Sequence, residues 1–305
     1  MNESVADIRY LDRKEIETDK WDQCIREAAN GLIYGRSFYL DTMSRNWSAL
    51  VLNDYDAVMP LTWNRKFGIS YLYQPPFTAQ LGMFFKKNLD GNILENFIRH
   101  TKLHFRFCEI HLNFANSTIG GRLRANYILS LKNTYPEIRH GYKKRLLENL
   151  READSHQLSY IATTDYASAI SLFKIQYGKR FRKLRDADFR RFEVLCAQLF
   201  QRNMLFVREV KDNSGASLNV SIFFTDEFRI YNIMSVSLPT GRNKKAHFFL
   251  LDQLIKEFAC ENRILDFEGS EIPGIAEFYR KFGSINEPYP FFYYNRLPVP
   301  IRFFK

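Results

Sequence analysis

Three carboxylates and one tyrosine crowd a break in the segment Leu265–Ser284, which reads LDFEGSEIPGIAEFYRKFGS. The segment begins like a buried strand, breaks at a Gly-Ser pair and resumes as an amphipathic helix. Asp266, Glu268 and Glu271 stand at the break, and Tyr279 stands at the edge of the apolar stripe of the helix. Carboxylates and phenols serve in general acid–base catalysis, so this corner is the first candidate active site. The alternative interpretation is a strand end with a solvated face.

A basic loop precedes a helix that is predicted to begin at Ala246. Its glycine, Gly241, permits a tight turn, and positive charge comes from Arg242, Lys244 and Lys245. The first turn of a helix has free N–H groups and the positive end of the helix dipole, so it can bind a phosphate. We therefore predict that these four residues contact a phosphate or pyrophosphate of a cosubstrate. The alternative is a basic surface loop above a core helix.

A second candidate binding segment is the loop QPPFTAQLG, which follows a predicted strand in the first half of the chain. Its two adjacent prolines stiffen the backbone, and polar side chains alternate with apolar ones. We predict that Gln74, Thr78 and Gln80 contact the donor or the acceptor of a reaction. An ordinary rigid loop over an aromatic core would have the same composition.

A basic helix, HGYKKRLLENLREA, separates the two halves of the sequence. Its leucines form one apolar side, and lysines and arginines surround the rest. Tyr142 and Arg145 are predicted to contact a phosphate-rich substrate, with a solvated linker face as the alternative. We also assign Asn232, in the strand FRIYNIMSVS, and Ser270, at the break described above, to the substrate cleft.

Other kinds of catalytic machinery are missing from the sequence. It contains no GxSxG nucleophile elbow, no P-loop and no dinucleotide-binding fingerprint. The best metal candidates are four residues of one segment, His100, His104, Cys108 and His111. The last two fall on a predicted strand with opposite parity and point to opposite faces, so the four side chains cannot converge. We predict neither a metal site nor a tightly bound cofactor.

The composition is that of a packed, basic protein. The chain has 305 residues, 46% of them hydrophobic and 26% charged, which excludes a largely disordered chain. Its net charge of +10 favours an anionic partner: nucleic acid, a phosphate-bearing cosubstrate or an anionic membrane surface.

Membrane and redox signals in the sequence favour a cytoplasmic protein. No apolar run approaches the roughly 20 residues of a membrane-spanning helix, and the N-terminus lacks the apolar core of a signal peptide. Integral membrane association is therefore not predicted, whereas peripheral contact stays open. The four cysteines form no CxxC pair and stand in apolar contexts, so we expect buried free thiols.

The two halves of the sequence repeat one order of elements: helices, three antiparallel strands, a loop, a helix and a strand. ENFIRHTKLHFRFCEIH can be set against DQLIKEFACENRILDFE. A repeat at a spacing of about 150 residues is too long for a solenoid and indicates tandem domains. We place them at residues 1–135 and 136–305, the second beginning with the basic linker helix. The oligomeric state stays open.

This order of elements, with an acidic-Gly-Ser break and a Phe-Tyr-Arg-Lys-Phe-Gly helix at its end, resembles the GNAT acyltransferase unit. Its duplication around a basic linker resembles the Fem family of aminoacyltransferases, which build peptidoglycan cross-bridges, and their uncharacterised relatives. LDFEGSEIPGIAEFYRKFGS is the most specific match, and QPPFTAQLG also resembles a loop of this group. The resemblance implies an α+β fold of two tandem GNAT-like domains, each a mixed, mostly antiparallel sheet flanked by helices.

The resemblance also implies a chemistry. Tyr279 falls where many GNAT enzymes keep a general acid for the leaving group, and Glu268 is our candidate base for the attacking amine. The donor would be an acyl-CoA or an aminoacyl-tRNA, and the acceptor an amine on a small molecule or a cell-envelope precursor. One departure weakens coenzyme A as the donor. Lys245 stands where the signature Gln/Arg-x-x-Gly-x-Gly/Ala has its first glycine, although Arg242 is present.

Two other functions are compatible with the sequence. A non-catalytic protein that binds nucleic acid would explain the positive charge and the abundant aromatic residues, although lysine and arginine are dispersed and no binding motif is present. A degenerate transferase fold that serves as a binding scaffold would explain the altered phosphate loop.

Overall fold

The computed structural model describes residues 7–86, 92–116, 121–178, 184–269 and 273–302. The chain divides into two compact units, the first containing Met1–Arg124 and Pro288–Lys305, and the second Ala125–Glu287. The division predicted from the sequence, at residue 135, differs from this one at both ends of the second unit and stays a prediction about domains.

Helices and strands alternate along both units. The helices are α1 (Thr18–Glu27), α2 (Ser37–Met43), α3 (Ile93–His104), α4 (Tyr135–His140), α5 (Lys144–Asp154), α6 (Tyr166–Tyr177), α7 (Asp186–Gln201), α8 (Pro239–Asn243), α9 (Ala246–Glu257), α10 (Pro273–Arg280) and α11 (Val299–Arg302). The strands are β1 (Ile8–Asp12), β2 (Asn46–Leu52), β3 (Ala57–Lys66), β4 (Ile69–Tyr73), β5 (Phe84–Phe85), β6 (Phe107–His111), β7 (Arg122–Arg124), β8 (Tyr127–Ser130), β9 (Ser159–Thr163), β10 (Leu205–Lys211), β11 (Ser217–Thr225), β12 (Arg229–Ser237), β13 (Ile264–Asp266), β14 (Ile285–Asn286) and β15 (Tyr289–Asn295).

The sheet of the first unit has the strand order β1-β2-β3-β4-β6-β15-β7, and β5 pairs with β3 outside this path. Among its described strands, only β4 and β6 pair in parallel. Leu94, Phe97 and Ile98 recur at steps of three and one along α3, which gives this helix a buried apolar face. That face packs in one core cluster with residues of β2, β3 and β6.

The sheet of the second unit has the strand order β14-β8-β13-β12-β11-β10-β9. Among its described strands, only β12 and β13 pair in parallel. Leu250, Leu254 and Ile255 of α9 are fully buried in the core of this unit, and each contributes about 1.5–3 kcal/mol by leaving water. Phe192 of α7 contacts Phe224 of β11, with ring centroids 5.8 Å apart. Both units are thus α+β with a mixed, mostly antiparallel sheet, as predicted.

The strand β15 lies between β6 and β7 although it contains a proline, which is typical of an edge strand. Pro290 has no N–H to donate, and its carbonyl accepts the N–H of Leu112. One expectation about a smaller feature was wrong. The expectation of four buried thiols fails for Cys260, which is exposed in the turn after α9.

No helix of the described ranges is long and apolar enough to cross a membrane. In the same ranges, no three side chains among His, Cys, Asp and Glu gather in a group that could hold a metal ion.

Candidate active site

The predicted corner of the second unit lies where two parallel strands part. β12 and β13 pair at three positions, from Arg229 opposite Ile264 to Tyr231 opposite Asp266. β13 ends at that last pair, whereas β12 continues for six more residues to Ser237. Along those six residues β12 pairs only with β11 among the described strands, so its other edge has no strand partner there.

Asn232 is the first residue of β12 beyond the last pair with β13. It lies opposite Phe223, and Met234 lies opposite Ile222, so β12 has one extra residue and a bulge at Ile233. A bulge bends a strand and re-aims its side chains. The Asn232 side chain is buried, and its Oδ1 accepts a hydrogen bond of 2.8 Å from Ser235 Oγ. Ser270 lies outside the described residues.

A buried charge cluster, formed by Arg229, Asp266 and Glu287, ties the strands together below this point. Arg229 donates to Asp266 Oδ2 at 2.9 Å and to both oxygens of Glu287 at 2.8 and 3.0 Å. Asn126 Nδ2 also donates to Asp266 Oδ2, at 3.2 Å. Burial alone would lower the pKa of Arg229, but the two carboxylates outweigh it and raise that pKa. The cluster therefore holds a permanent cation between β12, β13 and the last residue of the unit.

The backbone at Glu268 is fixed by the same cluster. Its φ of 57° is left-handed, which is unusual for a residue other than glycine. The Glu268 N–H donates to Asp266 Oδ1 at 2.9 Å, and its side chain is half-buried. At the next residue, Gly269, a Cβ would lie 1.9 Å from the carbonyl oxygen of Ala125, so only glycine fits. The break after β13 is thus a built corner rather than a frayed strand end.

Tyr279 of α10 packs among aromatic rings beside this corner. Its ring is stacked on Phe267 with centroids 4.8 Å apart and meets Phe278 edge to face at 5.6 Å. Burial raises the pKa of Tyr279, and the charges of Glu268 and Asp266 raise it further. A tyrosine in these surroundings stays protonated at neutral pH, as a proton donor must.

The predicted phosphate loop has more structure than expected. Where the sequence predicts a turn around Gly241, the chain forms the short helix α8. A Cβ at Gly241 would lie 2.0 Å from the Leu218 carbonyl oxygen, so glycine lets this helix approach β11 closely. Lys245 precedes α9 in the left-handed conformation, with φ 57°. Arg242 is exposed on α8.

Both lysines of this loop have acidic partners. Lys244 Nζ lies 2.9 Å from Asp212 Oδ2, and Lys245 Nζ lies 3.4 Å from Glu152 Oε1. A phosphate at this loop would therefore compete with two carboxylates for the lysines.

Sequence reasoning missed His247, in the first turn of α9. Its ring is stacked on Phe278 with centroids 4.8 Å apart, and Phe278 in turn contacts the ring of Tyr279. Nε2 is buried without a hydrogen-bond partner among the described residues. Burial lowers the pKa of His247 to about 4, so the ring is neutral at pH 7. A histidine after a basic loop was the only signal available in the sequence.

The loop QPPFTAQLG lies in the first unit and uses its polar groups internally. Gln74 Oε1 accepts the N–H of His111 at 2.9 Å, and Gln74 Nε2 donates to the Thr78 carbonyl at 2.8 Å. Gln80 Oε1 accepts the N–H of Phe114 at 2.9 Å. Gln80 and Thr78 are buried. The three predicted residues thus lie together, but they hold the loop against β6 and the segment after it.

The two residues predicted to bind substrate from the basic linker, Tyr142 and Arg145, lie in different surroundings. The expected helix is α5, which begins at Lys144, whereas His140 ends α4 and residues 141–143 lie between the two helices. Tyr142 is buried, and its ring meets Phe282 edge to face at 5.5 Å. Arg145 is exposed on α5, with Nη1 2.9 Å from Glu148 Oε2. Tyr142 thus packs in the core, while Arg145 lies on the surface.

No protein-family model and no curated protein matches the chain. Solved structures do match its fold. FemX superposes with a TM-score of 0.68 at 13% identity, covering 96% of this chain and 98% of FemX. A conserved protein of unknown function from Bacteroides thetaiotaomicron VPI-5482 has a TM-score of 0.59 at 10% identity, covering 93% and 98%.

L-PGS from Bacillus licheniformis has a TM-score of 0.52 at 11% identity, covering 93% of each chain. These identities establish the fold alone. The chain is therefore similar in fold to FemX over nearly its whole length, which confirms the structural resemblance expected from the sequence.

Proposed function

We propose that this chain is an acyltransferase that moves an acyl or aminoacyl group to an amine at the corner where β12 and β13 part. The main support is the arrangement at that corner. β12 continues without β13, and a protonated tyrosine and a half-buried carboxylate flank the point of separation. Similarity in fold to FemX agrees with a transferase but does not identify its substrates.

In the proposed reaction the amine attacks the carbonyl carbon of the donor, and a new C–N bond forms. Glu268 takes the proton that the amine loses, directly or through one water. The tetrahedral intermediate collapses, the bond to the leaving sulfur or oxygen breaks, and Tyr279 returns a proton to that atom. Neither a metal ion nor a covalent enzyme intermediate is needed, because positioning and proton transfer carry the reaction.

The donor is an acyl-CoA or an aminoacyl-tRNA, with Gly241, Arg242, Lys244 and Lys245 at its phosphates. The ion pairs of Lys244 and Lys245 weigh against a tight pyrophosphate site. For the acceptor we propose an amine on a small molecule or a cell-envelope precursor. Its contacts would come from Asn232 and the other predicted substrate residues, Gln74, Thr78, Gln80, Tyr142, Arg145 and Ser270.

The test is product formation by purified protein with pools of acyl-CoA, aminoacyl-tRNA and amine acceptors, followed by mass spectrometry. We expect an acylated amine whose yield falls strongly in Glu268→Gln. Glu277→Gln is the matched control, because Glu277 lies in the same segment and pairs with Arg280 at 3.1 Å on the surface. Full activity in Glu268→Gln would contradict the assigned base, and no product from any donor would contradict the transferase.

A further inference from the structure

A surface cleft of about 450 Å³ lies in the first unit, and none of the residues predicted to act in catalysis lines it. Its walls come from the end of β1, the turn after it, the end of α2 and parts of β2 and β3. The volume falls within the range of about 300–1,000 Å³ that small-molecule sites occupy. Three cationic and two anionic side chains line it, which leaves one positive charge in excess.

Asp41, one of the two acids of the cleft, already has partners. Arg13 Nε lies 2.7 Å from Asp41 Oδ1, and Arg13 Nη2 lies 2.8 Å from Asp41 Oδ2, a bidentate pair. Trp47 Nε1 donates to Asp41 Oδ1 at 2.8 Å. The backbone N–H of Asp12 donates to Glu15 Oε2 at 2.8 Å at the start of a short 3₁₀ helix. Asp41 and Arg13 are thus committed to each other.

The remaining cations of the cleft are Lys14 and Arg45. Both are exposed, and neither makes an ion pair with any residue that the structure describes. Ser44 also lines the cleft and is only 6% exposed. Its Oγ has no hydrogen-bond partner among the described residues. A buried hydroxyl without a partner costs free energy, so a ligand oxygen at this point would be favourable.

An aromatic wall completes the cleft. Trp63 is half-buried, and its Nε1 donates to Ser48 Oγ at 3.1 Å, which fixes the indole edge against β2. Indole faces stack on planar bases and pack against sugar rings. Two cations without an ion pair among the described residues, a buried hydroxyl without a hydrogen-bond partner among them, and an indole therefore line one small-molecule volume.

We propose that this cleft binds a small phosphate monoester whose organic part carries a ring, either a nucleoside or a sugar phosphate. The phosphate oxygens accept from Ser44 Oγ, Lys14 and Arg45, and the ring packs on Trp63. This site is independent of the transfer reaction proposed for the second unit, so either proposal can fail alone.

The three tryptophans of the chain, Trp21, Trp47 and Trp63, provide a direct readout. Two of them line the cleft, and the fully buried Trp21 packs against Trp47 with ring centroids 5.1 Å apart. Titration with adenosine monophosphate and with glucose 6-phosphate should give a saturable change in tryptophan fluorescence for at least one. The responding probe identifies the nucleoside or the sugar as the ring. Adenosine, which lacks the phosphate, should give none.

Matched variants locate the binding. By calorimetry, Arg45→Ala and Ser44→Ala should each weaken binding of the responding monoester about tenfold, because each loses a hydrogen bond to a charged group. Lys20→Ala is the control, since Lys20 lies in the same unit but pairs with Asp54 at 2.7 Å outside the cleft. It should bind as the unmodified protein does. Trp63→Phe should remove most of the fluorescence response.

Three results would overturn the proposal. The first is that neither monoester binds, by fluorescence or by calorimetry. The second is equal affinity for inorganic phosphate, because the ring would then contribute nothing. The third is binding that Arg45→Ala and Ser44→Ala leave unchanged, or that Lys20→Ala weakens to the same extent.

Discussion

The two units treat the end of their parallel strand pair in different ways. In the first unit, β4 and β6 pair up to Tyr73, and the chain then leaves the sheet in the loop that begins with Gln74. The amide of Gln74 accepts the His111 N–H, and the chain returns to the sheet where Leu81 bridges Leu112. The space beside β6 is thus filled by the protein's own loop.

In the second unit, no such loop follows the last parallel pair within the residues that the structure describes. After Tyr231, β12 continues through its bulge to Ser237, and β13 ends before the corner at Glu268. The difference shows that the gap between parting parallel strands can be closed by a loop with polar backbone contacts, as in the first unit, or can leave one strand without a strand partner, as in the second. It is the reason why the proposed reaction is assigned to the second unit.

The largest expected effect concerns the charge cluster below the corner. Arg229→Leu would leave Asp266 and Glu287 buried without their cation, which should cost about 3–5 kcal/mol in the free energy of unfolding. Urea unfolding would measure it. Arg280→Leu is the control, because the exposed Arg280–Glu277 pair should be worth less than about 1 kcal/mol. Equal losses in both variants would show that the cluster does not hold the corner.

A second variant addresses the shape of the corner. Gly269→Ala forces a Cβ to within 1.9 Å of the Ala125 carbonyl oxygen, so the backbone must move, at a cost of about 2–3 kcal/mol. Gly274→Ala is the matched control, because nothing lies within 4 Å of a Cβ there. Thermal unfolding of the two variants should separate them clearly. Similar midpoints would mean that the corner is not packed as described.

A third prediction uses the buried histidine of each unit. Burial lowers the pKa values of His111 and His247 to about 4, from the ordinary value of 6.5. Between these pKa values the unfolded chain binds protons that the folded chain does not bind. The free energy of unfolding should therefore fall as the pH drops from about 6.5 to about 4. Each histidine should contribute about 1–3 kcal/mol to this loss.

His247→Phe should remove the loss of stability at low pH that comes from His247 in the second unit and leave the loss that comes from His111 in the first. Equilibrium unfolding at a series of pH values would show a shallower loss for this variant between pH 6.5 and 4. A pH profile identical to that of the unmodified protein would mean that His247 is not buried as a neutral ring.

The smallest expected effect concerns the filled gap of the first unit. Gln74→Ala leaves the His111 N–H without its acceptor and should cost about 1–2 kcal/mol of stability. Because Gln74 is also proposed to contact the acceptor, transfer activity should fall by more than this loss of stability explains. Unchanged activity in a stable variant would restrict the role of Gln74 to the fold.

Local patterns were enough to predict much of the fold. Ala246 was predicted as the start of a helix, and α9 begins there. The position of β15 could not be predicted, since a proline normally marks an edge strand. The pairing of Arg229 with Glu287, which lies 58 residues away, leaves no local pattern at all.

The candidate site divides in the same way. The clustered charges around Glu268 and the edge position of Tyr279 were visible in the sequence, because strand and helix periodicity determine them. The sequence does not reveal that the side-chain amides of Gln74 and Gln80 accept hydrogen bonds from backbone N–H groups, or that Tyr142 is a core residue. Those roles depend on contacts between segments distant along the chain.

The most direct test of the account compares two tyrosines of the second unit. Once a donor and an acceptor are known, the rate of acyl transfer should fall about 100-fold in Tyr279→Phe, because the leaving group loses its proton donor. Tyr160→Phe should keep the unmodified rate. Burial raises the pKa of Tyr160 as it does that of Tyr279, but the Tyr160 hydroxyl donates to Glu257 on the surface of α9. An unchanged rate in Tyr279→Phe would contradict the assignment of the reaction to this corner.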